Sequence, residues 1–196
     1  MVLVAGLWMP GAAMALLAAR LRRAGLGVRV FRYRGRDPFE INVERLRRFC
    51  GRSAHFVGHS LGGVLILETL SRHRELQAAS ATLIGSPVRG CEAGRRFGRW
   101  RIGRWMMGAS GALWSEREAR WSRPEPLGVI AGTRALGLGR LLGRLPLPND
   151  GVVCVSETAV DGMRDQARVA VGHSALIASR AVAELVLLFI AQGRFR

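Results

Sequence analysis

Lysine is absent from this chain: all 30 basic residues are arginine, set against 14 acidic ones, for a formal net charge of +16. A GC-rich coding bias, which trades lysine for arginine and enriches alanine, glycine and leucine, accounts for that absence without a functional demand. The surplus positive charge still predicts attraction to anionic surfaces. The sequence has neither a recognition helix with interleaved aromatic and basic residues nor an RNP-like strand. A specific nucleic-acid partner is therefore not expected, and peripheral contact with an anionic membrane fits better.

Cysteine is also scarce. Cys50, Cys91 and Cys154 are odd in number, far apart and without Cys-x-x-Cys or Cys/His spacing. That argues against a disulfide framework and a zinc site, and it fits a reducing, cytoplasmic compartment, with peripheral contact at the inner membrane face. Long hydrophobic runs are missing as well. The apolar stretch 181–191 is shorter than a bilayer span and is broken by Glu184, so no transmembrane helix is expected. Residues 1–19 are apolar but lack the charged segment that opens a signal peptide. They read better as strand, turn and helix.

What is present is a chain of 196 residues, 49% hydrophobic and without a break in composition, enough for one domain with a substantial core. Residues 2–5 are wholly apolar and run into Gly6, as a buried parallel strand does. Residues 12–24 carry strong helix formers and close on Gly25 and Gly27. The alternation continues: strands over 28–33, 55–57, 81–84, 127–131 and 167–171, and helices over 41–49, 61–71 and 175–190. Strands alternating with helices predict an α/β domain, a mostly parallel sheet of about six strands covered on both faces.

One stretch breaks the rhythm. Residues 88–126 are too long for an ordinary connection and hold four of the five tryptophans, Trp100, Trp105, Trp114 and Trp121, with Met106, Met107 and many arginines. An inserted helical cap is expected there. Trp8, Trp105, Met106 and Trp114 are candidates to line an acyl-binding site, since apolar side chains accept alkyl groups with little geometric demand; equally, they are candidates for packing the cap on the domain. The interleaved Arg95, Arg96, Arg99, Arg101 and Arg104 read either as a solvated face or as contacts to an anionic interface.

Gly58-His59-Ser60-Leu61-Gly62-Gly63 stands between a short apolar strand and a helix. In that context G-x-S-x-G forms a nucleophile elbow, a tight strained turn whose glycines let neighbouring backbone approach. The turn presents Ser60 at the C-terminal edge of the sheet and leaves the Leu61 N–H at a helix N-terminus, where it can face a developing oxyanion. A second donor is expected from the loop after the first strand, at the Leu7 N–H, with Gly6 allowing the bend. A serine hydroxyl needs an adjacent base, and the base an orienting carboxylate, in the chain order Ser, acid, His. Downstream of Ser60 stand two histidines. His73 lies in a charged segment at a helix end, whereas His173 directly follows the last strand and is the expected base. The acid is Asp150, in the turn Asn149-Asp150-Gly151, or one of Asp161, Asp165 and Glu157. His59 reads as a packing residue beside the elbow.

On these residues the chain resembles the bacterial esterase/lipase branch of the α/β-hydrolase superfamily. The resemblance runs through the elbow, Val4-Ala5-Gly6-Leu7, Asn149-Asp150-Gly151-Val152-Val153 and Gly172-His173-Ser174, covering most of the chain except the cap. It implies a minimal α/β-hydrolase fold that starts at the family's third strand, and it favours Asp150, because family lipases carry a similar Asn-Asp-Gly turn before the catalytic histidine. Two positions depart from the family. Ala5 stands where a histidine usually precedes the oxyanion glycine, which removes a bracing side chain. Ala175 stands where some lipases have a calcium-binding aspartate, so no calcium site is expected.

The activity implied is hydrolysis of carboxylic esters through an acyl-enzyme on Ser60, with no metal or organic cofactor and a small-molecule ester or acyl compound as substrate. An acyl thioesterase uses the same machinery. An inactive hydrolase fold that binds lipid or protein, and a protein that binds nucleic acid by charge alone, are the readings from other classes.

Overall fold

Short apolar runs become strands here because a parallel sheet sandwiched between helices dehydrates both faces of each strand. The computed structural model describes residues 1–7, 9, 14–51, 54–136 and 143–196. Its strands are β1 (Val2–Val4), β2 (Arg29–Phe31), β3 (Ala54–His59), β4 (Ala78–Ile84), β5 (Leu127–Gly132) and β6 (Asp165–Val169). They pair in the order β2-β1-β3-β4-β5-β6, every pair parallel, as the strand–helix alternation predicts. The helices are α1 (Ala15–Arg23), α2 (Phe39–Phe49), α3 (Leu61–Arg72), α4 (Glu92–Gly98), α5 (Arg101–Met107) and α6 (Arg180–Gln192).

The two-residue period of the strands sorts the core into two layers. Val2, Val4, Phe56, Leu83 and Val129 face the layer built with α2 and α3, where Val43, Leu46, Val64 and Leu65 pack. Leu3, Ala5, Val57, Ile84 and Ile130 face the opposite layer, built with Leu17 and Leu21 of α1 and Val182, Val186 and Phe189 of α6. Gly128 belongs to this second face, and a Cβ there would stand 2.6 Å from the Phe189 ring, so the missing side chain admits the phenyl group.

Several boundaries differ from the sequence reading, β4 for example starting at Ala78 rather than at 81, and two of the differences have a local cause. The helix expected over 175–190 is divided into a 3-10 turn, His173–Ala178, and α6. The hydroxyl oxygen of Ser179 accepts from the Val182 N–H at 3.4 Å and starts a new helix, the usual effect of a serine at this position. The last strand lies two residues earlier than expected, because Asp165 is tied into the sheet edge by accepting the Phe195 N–H at 2.7 Å.

The insertion between β4 and β5 folds as α4, α5 and a 3-10 segment, Gly108–Trp114, then runs extended to β5. Its return is anchored by Arg123, whose guanidinium donates to the carbonyls of Leu70 at 2.9 Å, in the last turn of α3, and Leu76 at 2.6 Å, in the turn that follows. Among the described residues, no helix is long and apolar enough to cross a membrane.

Candidate active site

All six strands point the same way, so the loops after β1, β3, β4, β5 and β6 gather at one edge of the sheet, the usual location of sites in such folds. Ser60 lies there between β3 and α3, with φ 53° and ψ −127°, and among the described residues no other non-glycine has a positive φ. A backbone held in so sparsely populated a region costs about 1–3 kcal/mol and persists only where its surroundings enforce it. They do so here: the Ser60 N–H donates to the Ile84 carbonyl at 2.9 Å, and its own carbonyl accepts from Gly63 at 3.0 Å. The elbow glycines are required by proximity. A Cβ on Gly58 would stand 2.5 Å from the Gly63 Cα, and one on Gly62 would collide with the Val4 and Ala5 carbonyl oxygens.

The structure brings His173 to this serine from 113 residues away, with Nε2 3.1 Å from the Ser60 Oγ. Its Nδ1 lies 2.7 Å from Oδ2 of Asp150, which is 1% exposed. The carboxylate acceptor fixes the tautomer: Nδ1 carries the proton, and Nε2 is free to accept from the hydroxyl. Asp150 is itself held, since its Oδ1 accepts from the N–H groups of Val152 at 3.0 Å and Val153 at 2.7 Å, and its carbonyl accepts the His173 N–H at 2.9 Å. Asn149 braces the turn by accepting from the Gly151 N–H at 2.9 Å.

The other carboxylates named from sequence are employed elsewhere. Asp161 pairs with Arg89 on the surface. Asp165 receives the Phe195 N–H. Glu157 accepts from the N–H groups of Glu92 and Cys154, and burial raises its carboxyl above the ordinary range. His73 lies beside Glu75 at 3.3 Å, at the far end of α3.

Leu61 is buried and opens α3, so its N–H is among those without an intrahelical acceptor. Gly6 sits directly against the elbow: a side chain there would stand 2.9 Å from the Ser60 Cβ and 3.2 Å from the His59 Nδ1. Leu7 follows in a turn, half-buried, with its side chain on Gly35. Trp8 lies outside the described residues.

Two participants are not evident from the sequence. His59, read as a packing residue, is buried and donates through Nε2 to the His173 carbonyl at 3.1 Å, with ring centroids 4.8 Å apart. Burial, then the neighbouring His173, lower its pKa to about 3, so the ring is neutral. Gly85, at the end of β4 with φ 53°, leaves room under the pair: a Cβ would stand 3.2 Å from the Asp150 Oδ2 and 3.4 Å from the His173 Nδ1. A glycine directly after an apolar strand was the available signal.

The candidates from the insertion divide. Trp114 is buried in the core against Gly94, and Met107 is buried as well. Trp105 is 64% exposed and is covered by the Arg36 guanidinium, 4.7 Å from its ring centroid. Met106 is half-buried beside it on α5. The cysteines are poor thiolate candidates: burial raises all three thiols, Cys50 to about 11 and Cys154 to about 12.

No protein-family model and no curated protein matches this chain. Solved structures do. The mature form of the Bacillus licheniformis lipase BlEst2 is similar with a TM-score of 0.69 at 14% identity, over 98% of this chain and 90% of that one. The Vlm2 thioesterase domain is similar with a TM-score of 0.60 at 12% identity, over 97% and 95% of the two chains. An extracellular alpha/beta-hydrolase from a Paenibacillus species gives 0.54 at 14% identity, over 97% of each. Identities this low speak to architecture alone, and the architecture of this chain is the α/β-hydrolase fold.

Proposed function

We propose that this protein is a serine hydrolase that cleaves carboxylic esters through an acyl-enzyme on Ser60. The reading is carried by one observation, the line of hydrogen bonds from the Ser60 Oγ to His173 at 3.1 Å and on to Asp150 at 2.7 Å. As Ser60 attacks the ester carbonyl, His173 Nε2 takes the hydroxyl proton. The imidazolium so formed is stabilised by the buried carboxylate of Asp150. The carbonyl oxygen gains negative charge facing the N–H groups of Leu61 and Leu7, which act as the oxyanion donors.

Collapse of this intermediate breaks the ester C–O bond, and the alcohol leaves with the proton from His173. Water then adds to the acyl-serine with His173 again as base. The carboxylic acid is released and the hydroxyl restored. A thioester enters the same sequence with a thiol as leaving group. Trp105 and Met106, with Trp8, are the proposed acyl-contacting side chains, whereas Trp114, buried against Gly94, packs the insertion onto the domain.

A series of p-nitrophenyl esters of increasing chain length, run beside acyl-CoA thioesters, tests the reading. The expected result is ester turnover that Ser60→Ala abolishes and that Asp150→Asn lowers by about 10⁴-fold. Turnover of no ester by the intact protein, or undiminished turnover by Ser60→Ala, overturns it.

A further inference from the structure

We propose that α5 and the Arg36 loop form a docking surface for anionic phospholipid bilayers, placed so that the bound protein turns the Ser60 edge of its sheet toward the membrane. Between Glu92 and Glu116 the chain has no acidic residue and five arginines. Glu92 pairs with both Arg95 and Arg96, and Glu116 also pairs with Arg95. Among the described residues, no carboxylate pairs with Arg99, Arg101, Arg104 or Arg36. Three large apolar side chains of this stretch are exposed, Trp100 by 55%, Ile102 by 59% and Trp105 by 64%, while Gly103 and Met107 turn inward. Three apolar and three cationic side chains are thus interspersed and exposed over residues 99–105, from the end of α4 into α5, with the Arg36 guanidinium over Trp105 as a fourth charge.

That composition matches an anionic interface. Tryptophan and isoleucine enter the boundary between headgroups and acyl chains, and guanidinium groups hold the phosphates. Arg99 and Arg104 also line a cavity of about 400 Å³ between α4 and α5, roomy enough for a phosphate group. Nucleic acid would employ the arginines and both tryptophans, but an exposed isoleucine offers no ring for a base to stack on.

The orientation follows from contacts. Trp105 lies under Arg36, and the Arg36 carbonyl accepts the Ala109 N–H at 3.5 Å. Ser110 donates to the Gly35 carbonyl, and Gly35 carries the Leu7 side chain. Leu7 follows Gly6, which abuts Ser60. The patch therefore sits on the rim of the same sheet edge, one loop removed from the serine.

Flotation of the full chain with phosphatidylcholine vesicles, and with vesicles of mixed phosphatidylcholine and phosphatidylglycerol, tests this without reference to hydrolysis. The protein is expected to float with the anionic vesicles only. The combined change Arg99→Glu, Arg101→Glu and Arg104→Glu should lower the bound fraction by about tenfold or more. The combined change Trp100→Ser, Ile102→Ser and Trp105→Ser should lower it as well. All six positions are exposed, so circular dichroism spectra and melting temperatures should stay close to the parent's. Equal flotation with neutral vesicles, failure to float with either, or unchanged flotation by either variant overturns the proposal. So does an RNA homopolymer that binds the protein more tightly than the vesicles do and is lost by the tryptophan variant, which would assign the surface to nucleic acid.

Discussion

The carbonyl oxygen of His173 accepts a hydrogen bond from Nε2 of His59 at 3.1 Å, so the residue before the nucleophile holds the backbone of the proposed base. Nδ1 of His59 is buried without a partner and lies next to Gly6. One neutral imidazole therefore connects the elbow, the His173 loop and the loop after β1. Removing its donor should loosen His173 without touching the reacting atoms. His59→Ala is expected to lower kcat for a p-nitrophenyl ester by about tenfold or more with little change in KM, because small displacements of a base are costly. His59→Gln, which can offer an amide N–H in the same direction, should recover most of the loss. Equal defects in both variants would contradict a positioning role.

The same burial makes His59 a liability in acid. Its pKa falls from 6.5 unfolded to about 3 folded, so between those values the unfolded chain binds a proton that the native protein refuses. Stability is then fully present above pH 6.5 and lost as the pH falls toward 3, by about 1.4 kcal/mol per unit. Urea unfolding at several pH values should show a shallower acid decline in His59→Gln than in the parent. Parallel curves would contradict the assignment.

Glycines with opposite surroundings should respond oppositely to alanine. At Gly62 a methyl group meets the Val4 and Ala5 carbonyls, backbone that cannot move without displacing β1. Gly62→Ala is expected to destabilise by about 3 kcal/mol or more, or to prevent folding. Gly27 has nothing within 4 Å and no positive φ. Gly27→Ala should stabilise by about 0.5 kcal/mol through the unfolded chain. Differential scanning calorimetry distinguishes the two.

Two of the four tryptophans in the insertion, Trp105 and Trp114, carry different weights. Trp114→Ala removes a side chain 7% exposed that packs on Gly94, and should cost about 3–5 kcal/mol. Trp105→Ala removes a side chain 64% exposed, and should change stability by no more than about 1 kcal/mol. Denaturant midpoints measured side by side test the contrast.

The sheet was legible because buried parallel strands are written as unbroken apolar runs: the stretch 2–5 yields β1, and 81–84 lies wholly within β4. The elbow was legible because G-x-S-x-G between strand and helix has few other physical uses. Downstream histidines are so few that His173 followed by elimination. Asp150 was less so, since Asp161 and Asp165 are nearer to His173 in sequence, and only the folded turn shows Asp150 at 2.7 Å from it. The break at Ser179 was hidden by continuous helix formers on both sides. The bond from His59 to His173 spans 114 residues and has no local signature. Trp105 and Trp114 look alike in sequence, and which one is buried depends on how α4, α5 and the 3-10 segment fold back.

In the proposed mechanism Ser60 is made nucleophilic by His173. Intact-mass spectrometry after reaction with a fluorophosphonate, followed by peptide mapping, tests it most directly. A single adduct is expected on the peptide bearing Ser60, absent in Ser60→Ala and formed far more slowly in His173→Ala. An adduct that persists in Ser60→Ala, or labelling of Ser60 at an unchanged rate without His173, would contradict it.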